Sequence, residues 1–239
     1  MKTIGLIGGM SWESSAEYYR IINEAVKERL GGTHSAQSLM FSVDFASVEA
    51  LQGSGNWEES GRQMADAALR LERGGADCIV ICTNTMHISA DSIQQAVSLP
   101  FIHIVDPTAD AIRAMGLTRI GLLATRYTME MDFYKGRLVD KFGLDVLIPD
   151  PDERMIIHDI IYGELILGVI SDESRRAYQQ VIESLVSRGA QGIILGCTEI
   201  GLLIKQEQST VPVFDTTRLH ALAAVDFALG VPQPADYVS

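Results

Sequence analysis

Short apolar runs alternate with longer amphipathic stretches along the whole chain. The runs KTIGLIG, SLMFSVD, DCIVIC, FIHIV, RIGLLAT, LDVLI, GIILG and VPVFD are rich in β-formers and end at turn residues. Runs of that length predict strands buried on both faces of a parallel sheet. Between them, segments 13–30, 57–73, 127–142 and 174–188 carry helical spacing. Strand–helix alternation of this kind predicts an α/β, doubly wound architecture.

The pattern also repeats. Ile4-Gly5-Leu6 returns as Ile120-Gly121-Leu122, 120 − 4 = 116 positions on. Gly75-Ala76 returns as Gly189-Ala190 (189 − 75 = 114), and Pro100 as Pro212 (212 − 100 = 112). Three ordered matches with such similar shifts predict two copies of one unit. The expected division is 1–100 plus 211–239 for one domain and 101–210 for the other, packed about a pseudo-two-fold axis. Open α/β sheets bind ligands at the carboxyl ends of their strands, so the expected site is a cleft between the two domains. At the shift of 114, Thr83 falls opposite Cys197 (197 − 83 = 114), each where a strand gives way to a helix.

Composition narrows the partners. With 239 residues, 47% of them hydrophobic, the chain can bury one large core or two modest ones. A formal net charge of −12 argues against nucleic acid and against an anionic membrane surface. It leaves an anionic small molecule open, because a few backbone amides can overrule the mean field locally. The opening MKTIGLIGGM is broken by glycines and reads as a first strand, not a signal peptide. No apolar stretch approaches the ~20 residues of a membrane span. Three cysteines make no disulfide framework, and a reducing cytoplasm is the expected location.

The two loops carry the candidate chemistry. A thiol just before a helix is exposed to free amides and the helix dipole, which predicts a lowered pKa for Cys197. Such a cysteine can be a nucleophile, a proton-transfer base or a small buried hydrophobe. No histidine adjoins it in sequence, which disfavours the nucleophile. Asn84, Thr85 and Thr198 offer short polar groups at two helix starts, suited to cradling a carboxylate; ordinary N-capping is the plainer alternative. Gly8-Gly9-Met10 supplies a third close backbone approach, with Met10 beside the substrate. Gly5, Gly8 and Gly9 do not spell G-x-G-x-x-G, so dinucleotide binding is rejected and Asp44 is a strand-end polar residue. Cys78 and Cys82 share a strand face, expected in the core, and no zinc-like spacing occurs, so no metal is expected. No lysine stands in a Schiff-base context, and no cofactor is expected. His87 reads first as a structural histidine and second as a partner of Thr83.

IGLIGGMSWESS at 4–15, CTNTMH at 82–87, LGCTEIG at 195–201 and VFDTTRLHA at 213–221, with IIYGELILG at 160–168, resemble the aspartate/glutamate racemase superfamily. The resemblance runs over nearly the whole chain and is nearest to the broad-specificity amino-acid racemases and aspartate racemases. It implies a cofactor-independent isomerase in which one residue removes the Cα proton and its counterpart donates on the other face; it also admits a homodimer. Most members carry a cysteine immediately before Asn-Thr, where this chain has Thr83. A hydroxyl is a far weaker acid than a thiol, so unequal kcat values or weakened activity are expected. Aspartate-selective relatives hold the side-chain carboxylate with basic residues. Here the corresponding segments offer Gln52 and Ile166-Leu167, which implies broader specificity for polar amino acids, glutamate and aspartate included. Gln52 would read the side chain, Glu199 would attract the ammonium group, and Thr125 would also reach the ligand. The alternatives are a hydantoin racemase or maleate isomerase on a related fold, and a cytoplasmic amino-acid or carboxylate sensor without turnover.

Overall fold

The structure is a computed structural model that describes residues 1–232. In chain order it runs β1 (Ile4–Gly8), α1 (Trp12–Leu30), β2 (Ser38–Ser42), α2 (Phe45–Ser54), α3 (Trp57–Arg73) and β3 (Cys78–Ile81). A 3-10 helix (Thr85–Ser89), α4 (Ala90–Ala96) and α5 (Val105–Ala114) follow. Next come β4 (Arg119–Ala124), α6 (Arg126–Glu130), α7 (Asp132–Asp140), β5 (Asp145–Leu147) and α8 (Pro151–Gly163). The chain ends with α9 (Asp172–Ser187), β6 (Ile193–Gly196), α10 (Ile200–Leu203), β7 (Val213–Asp215) and α11 (Thr216–Leu229).

The chain divides into two compact units, residues 1–106 with 220 onward, and residues 107–219. In the first, a parallel sheet has strand order β2-β1-β3. Side-chain alternation along these strands feeds two separate cores. Ile4, Leu6, Cys78, Val80 and Cys82 pack with α1 and α11, whereas Ile7, Ile79 and Ile81 pack with Met64, Ala67 and Ala68 of α3. Helices thus cover both faces, the doubly wound arrangement. Serine at the cap starts α1: the Ser11 hydroxyl accepts from the Ser14 amide at 3.2 Å.

The second unit holds a parallel sheet of order β5-β4-β6-β7. Its registers repeat those of the first. Gly5 pairs with Ile79, and Gly121 with Ile193. Phe101 bridges Ile79, and Val213 pairs with Ile193. The Ala76 amide donates to Leu71 and the Ala190 amide to Leu185, each at 3.0 Å, after glycines with φ of +91° and +97°. The two units are built on one hydrogen-bonding plan.

Three expectations need correction. The strand FIHIV is a single bridge at Phe101, because the His103 ring accepts the Val105 amide at 3.2 Å and turns the chain into α5. Segment 127–142 is two helices, parted at Met131, whose ψ of 150° is extended. The expected domain boundaries also move. Pairing of β7 with β6 carries residues 211–219 into the second unit, and the Phe101 bridge keeps 101–106 in the first. Residues 233–239 of the expected first domain lie outside the described residues.

Candidate active site

In the first unit, the Cys82 amide extends the β1–β3 ladder to Ile7 at 2.9 Å, and the Cys82 side chain enters the core. Alternation then turns Thr83 the other way, and Thr83 is half-buried. Asn84 and Thr85 are buried behind it. Asn84 makes no capping hydrogen bond to the 3-10 helix, so the plain N-cap alternative does not describe it. Gln52, on α2, is buried and donates from Nε2 to Met86 Sδ at 3.3 Å. Met10 is buried in the same core as Met86 and Val48. Met10, Gln52, Asn84 and Thr85 are therefore gathered in one unit with Thr83.

His87 is held by both ring nitrogens. Nε2 accepts the Ile104 amide at 3.1 Å, which leaves Nδ1 protonated to donate to the Thr83 carbonyl at 2.8 Å. His87 is structural, and what it fixes is the Thr83 backbone.

A set of serines was missed in the sequence reading. Ser14 donates to the Cys82 carbonyl at 2.6 Å, tying the start of α1 to the residue before Thr83. Ser15 accepts the Gly9 amide at 2.7 Å and donates to the Ser11 carbonyl at 2.9 Å. Only the run Ser11–Ser15 at a strand-to-helix turn could have signalled this. The Gly9 amide is taken by Ser15. Gly9 is required by a φ of +92° and by the Val43 carbonyl, which a Cβ would meet at 2.2 Å. Asp44 likewise caps α2, accepting from the Ala46 amide, and is not merely a strand-end residue.

In the second unit, Cys197 follows the last residue of β6 and is half-buried. Its thiol donates to Glu199 Oε2 at 3.0 Å. Thr198, between them, is half-buried, and Glu199 is buried. The Cys197 pKa is pushed well above the ordinary thiol range, first by burial and then by the Glu199 charge and hydrogen bond; the Glu199 and Ile200 amides pull it down. The expected lowering is corrected here. The amides act with the expected sign, but α10 spans only four residues and a carboxylate lies beside the sulfur. Glu199 is accordingly turned to the thiol.

Thr125 caps α6, sharing its hydroxyl with Thr128 at 3.2 Å, and is buried rather than a surface residue. Leu167 lies in a 3-10 turn after α8 and is 69% exposed. The remaining thiols are inert by burial, which raises Cys78 to about 12 and Cys82 further. Among the described residues, no group of three or more His, Cys, Asp or Glu side chains could hold a metal ion. No helix among them is long and apolar enough to cross a membrane.

The family model described as Asp/Glu/Hydantoin racemase matches residues 7–224. The chain is 26% identical over 171 residues to the broad specificity amino-acid racemase RacX of Bacillus subtilis, covering 70% of this chain and 72% of that protein. The crystal structure of a candidate Asp/Glu racemase from Yersinia pestis is 54% identical, with a TM-score of 0.90 over 96% of this chain and 100% of that one. PH1733, an aspartate racemase homologue from Pyrococcus horikoshii, is 33% identical, with a TM-score of 0.83 over the same shares.

Proposed function

Because the chain belongs to the Asp/Glu/Hydantoin racemase family, we propose that it interconverts L- and D-amino acids by moving the Cα proton without a cofactor, Cys197 serving one face and Thr83 the other. Racemases are isomerases, and the chain is an enzyme of that class.

One observation carries the two-residue reading. The loop Cys82-Thr83-Asn84-Thr85 leaves β3 and the loop Gly196-Cys197-Thr198-Glu199 leaves β6 at equivalent points of a repeated register. Inversion at one carbon needs an acid and a base on opposite faces, and a duplicated unit supplies two equivalent positions. Cys197 removes the proton on its face. The Thr83 hydroxyl, a weak acid, reprotonates the carbanion directly or through water. Enantiomers have equal free energies, so kcat/KM must match in the two directions; only kcat and KM separately can differ.

Broad specificity for polar amino acids, glutamate and aspartate among them, is supported by the side chains on offer. Gln52 is neutral, and Leu167 is an exposed apolar residue where a basic clamp would stand. Gln52, Met10, Asn84, Thr85, Thr125 and Thr198 are the residues assigned to substrate.

The test is incubation with a panel of L-amino acids in D2O while the Cα–H signal is followed. Loss of that signal with one or more polar amino acids is expected, and Cys197→Ala should abolish it. No exchange with any amino acid, despite measurable binding, would overturn the racemase in favour of a sensor.

A further inference from the structure

We propose that His158 is a positioning residue for substrate: from α8 it holds the Arg126 amide, fixes the turn that carries Thr125, and releases that turn when protonated. This deepens the racemase reading and rests on it. The observation is the Arg126 amide donating to His158 Nδ1 at 3.3 Å, from the start of α6 to the middle of α8.

The turn matters because of where β4 ends. Ala124 pairs with Gly196 in the parallel register, so Thr125 and Cys197 are the next residues on adjacent strands. Helix α6, which starts there, spans only five residues. So short a helix has few bonds of its own, and its first amides need partners from outside the ladder. Thr125 caps the Thr128 amide from within the turn, and His158 takes the Arg126 amide from another helix. The first unit holds its matching turn differently. Gly9 is the equivalent of Thr125 (125 − 9 = 116, as 120 − 4 = 116), and its amide donates to the Ser15 hydroxyl at 2.7 Å. A serine hydroxyl does not titrate near neutral pH, whereas an imidazole does. Of the two turns, the one beside Cys197 is therefore the one that answers to pH.

The half-buried His158 ring is clamped between two tyrosines. Tyr127 of α6 meets it edge-on with centroids 5.9 Å apart, and Tyr162 of α8 lies tilted at 4.7 Å. Burial lowers its pKa from the usual 6.5, and the Arg126 charge adds to that; Asp159 and Glu130 pull the other way. Glu130 is shared with Arg154, whose Nε donates to it at 2.9 Å. From α9, Tyr178 donates to the carbonyl of neighbouring Ile157 and stays protonated. Glu164, after α8, is held by the Ser171 and Ser174 hydroxyls. Strand β4 contributes buried residues 120–124, none of them titratable. At neutral pH the ring is uncharged, with Nδ1 accepting and the hydrogen on Nε2. Below the folded pKa, Nδ1 gains a hydrogen that faces the Arg126 N–H, and two donors make no bond. The anchor is thus present above that pKa and lost as pH falls through it.

Two substitutions separate the anchor from mere bulk. His158→Leu removes the acceptor, whereas His158→Asn keeps one, Oδ1, near the place of Nδ1 and never titrates. The first readout needs no substrate: the Arg126 amide proton shift followed by NMR against pH. In wild type it should move with the same midpoint as the His158 ring proton, below pH ~6.5, and in His158→Asn it should stay flat. The second readout is amino-acid turnover at about pH 7.5, where His158→Leu should raise KM about tenfold with kcat within about threefold. His158→Asn should restore KM to within about twofold of wild type. Between about pH 7.5 and pH 5, wild-type KM should climb at least about threefold more than that of His158→Asn. An Arg126 amide that ignores the ring titration overturns the proposal. So does an unchanged KM in His158→Leu, a loss confined to kcat, or an Asn variant as impaired as the Leu variant. Parallel KM profiles for wild type and His158→Asn overturn it too. Should the Leu variant not fold, the wild-type titration and the Asn profile carry the test. A wild type that racemises nothing sinks the racemase reading itself, and the amide titration still decides whether His158 anchors the turn.

Discussion

His87 joins the Thr83 carbonyl to the Ile104 amide, donating to the first across 2.8 Å and accepting from the second across 3.1 Å. The ring is buried and sits 4.7 Å from the His103 ring and 5.5 Å from that of His220. His87→Ala would strand two backbone groups and open a cavity. A loss of about 3 kcal/mol is expected from those terms. Urea denaturation measures it. Because the Thr83 backbone would lose its anchor, kcat should also fall roughly tenfold; unchanged turnover would show that Thr83 needs no such support.

Thr83→Cys puts a second thiol at the position equivalent to Cys197 in the repeated register. If Thr83 handles the proton on its face, the ratio of L-to-D and D-to-L kcat values should shift toward one, by about tenfold or more, since a thiol is the better acid and base. The two kcat/KM values must stay equal. A ratio identical to wild type, measured with both pure enantiomers, would remove Thr83 from the chemistry.

Much of this was legible because local and global signals agreed. The segment 57–73 reads as a helix and is one, with Asn56 as cap, Glu58 and Glu59 in its first turn and Arg70 and Arg73 in its last. The repeat was legible for the same reason: Gly75 and Gly189 keep positive φ values, a backbone demand that only a few residue types meet. What sequence could not carry was the direction of side chains. The helix start at Cys197 was visible, but the burial of the thiol and Glu199 turning back onto the sulfur were not, and those two, burial first, reverse the sign of the pKa shift. His103 alternates with apolar neighbours as a strand residue would. Only its bond to the Val105 amide reveals a helix start.

Two glycines should respond oppositely to alanine. At Gly9, φ is +92° and a new Cβ would lie 2.2 Å from the Val43 carbonyl, so Gly9→Ala forces the β1–α1 turn apart. A loss of about 3 kcal/mol or more is expected, because strain and overlap add. Gly53 lies inside α2, with nothing within 4 Å of a built Cβ. Gly53→Ala should stabilise by roughly 0.5–1 kcal/mol through helix propensity. Thermal melting of the two variants beside wild type decides both.

His220 sets a pH limit on the first unit. Nε2 lies 2.7 Å from the Ile102 carbonyl and must donate to it, so Nδ1 accepts from the Tyr18 hydroxyl at 2.8 Å. Burial pulls its pKa down to about 4 from the usual 6.5; the Ile102 carbonyl and the Asp106 charge oppose the shift without cancelling it. Between those two values the unfolded chain binds a proton that the folded chain refuses. Stability from this residue is therefore complete above the upper value and is lost as pH falls toward the lower one. A difference of that size corresponds to about 3 kcal/mol for a fully buried group. His220→Gln cannot titrate, so although it starts less stable at neutral pH, its urea midpoint should vary less between pH 7 and pH ~4.5 than that of wild type. Parallel curves for the two proteins across that range would show that acid sensitivity comes from other groups.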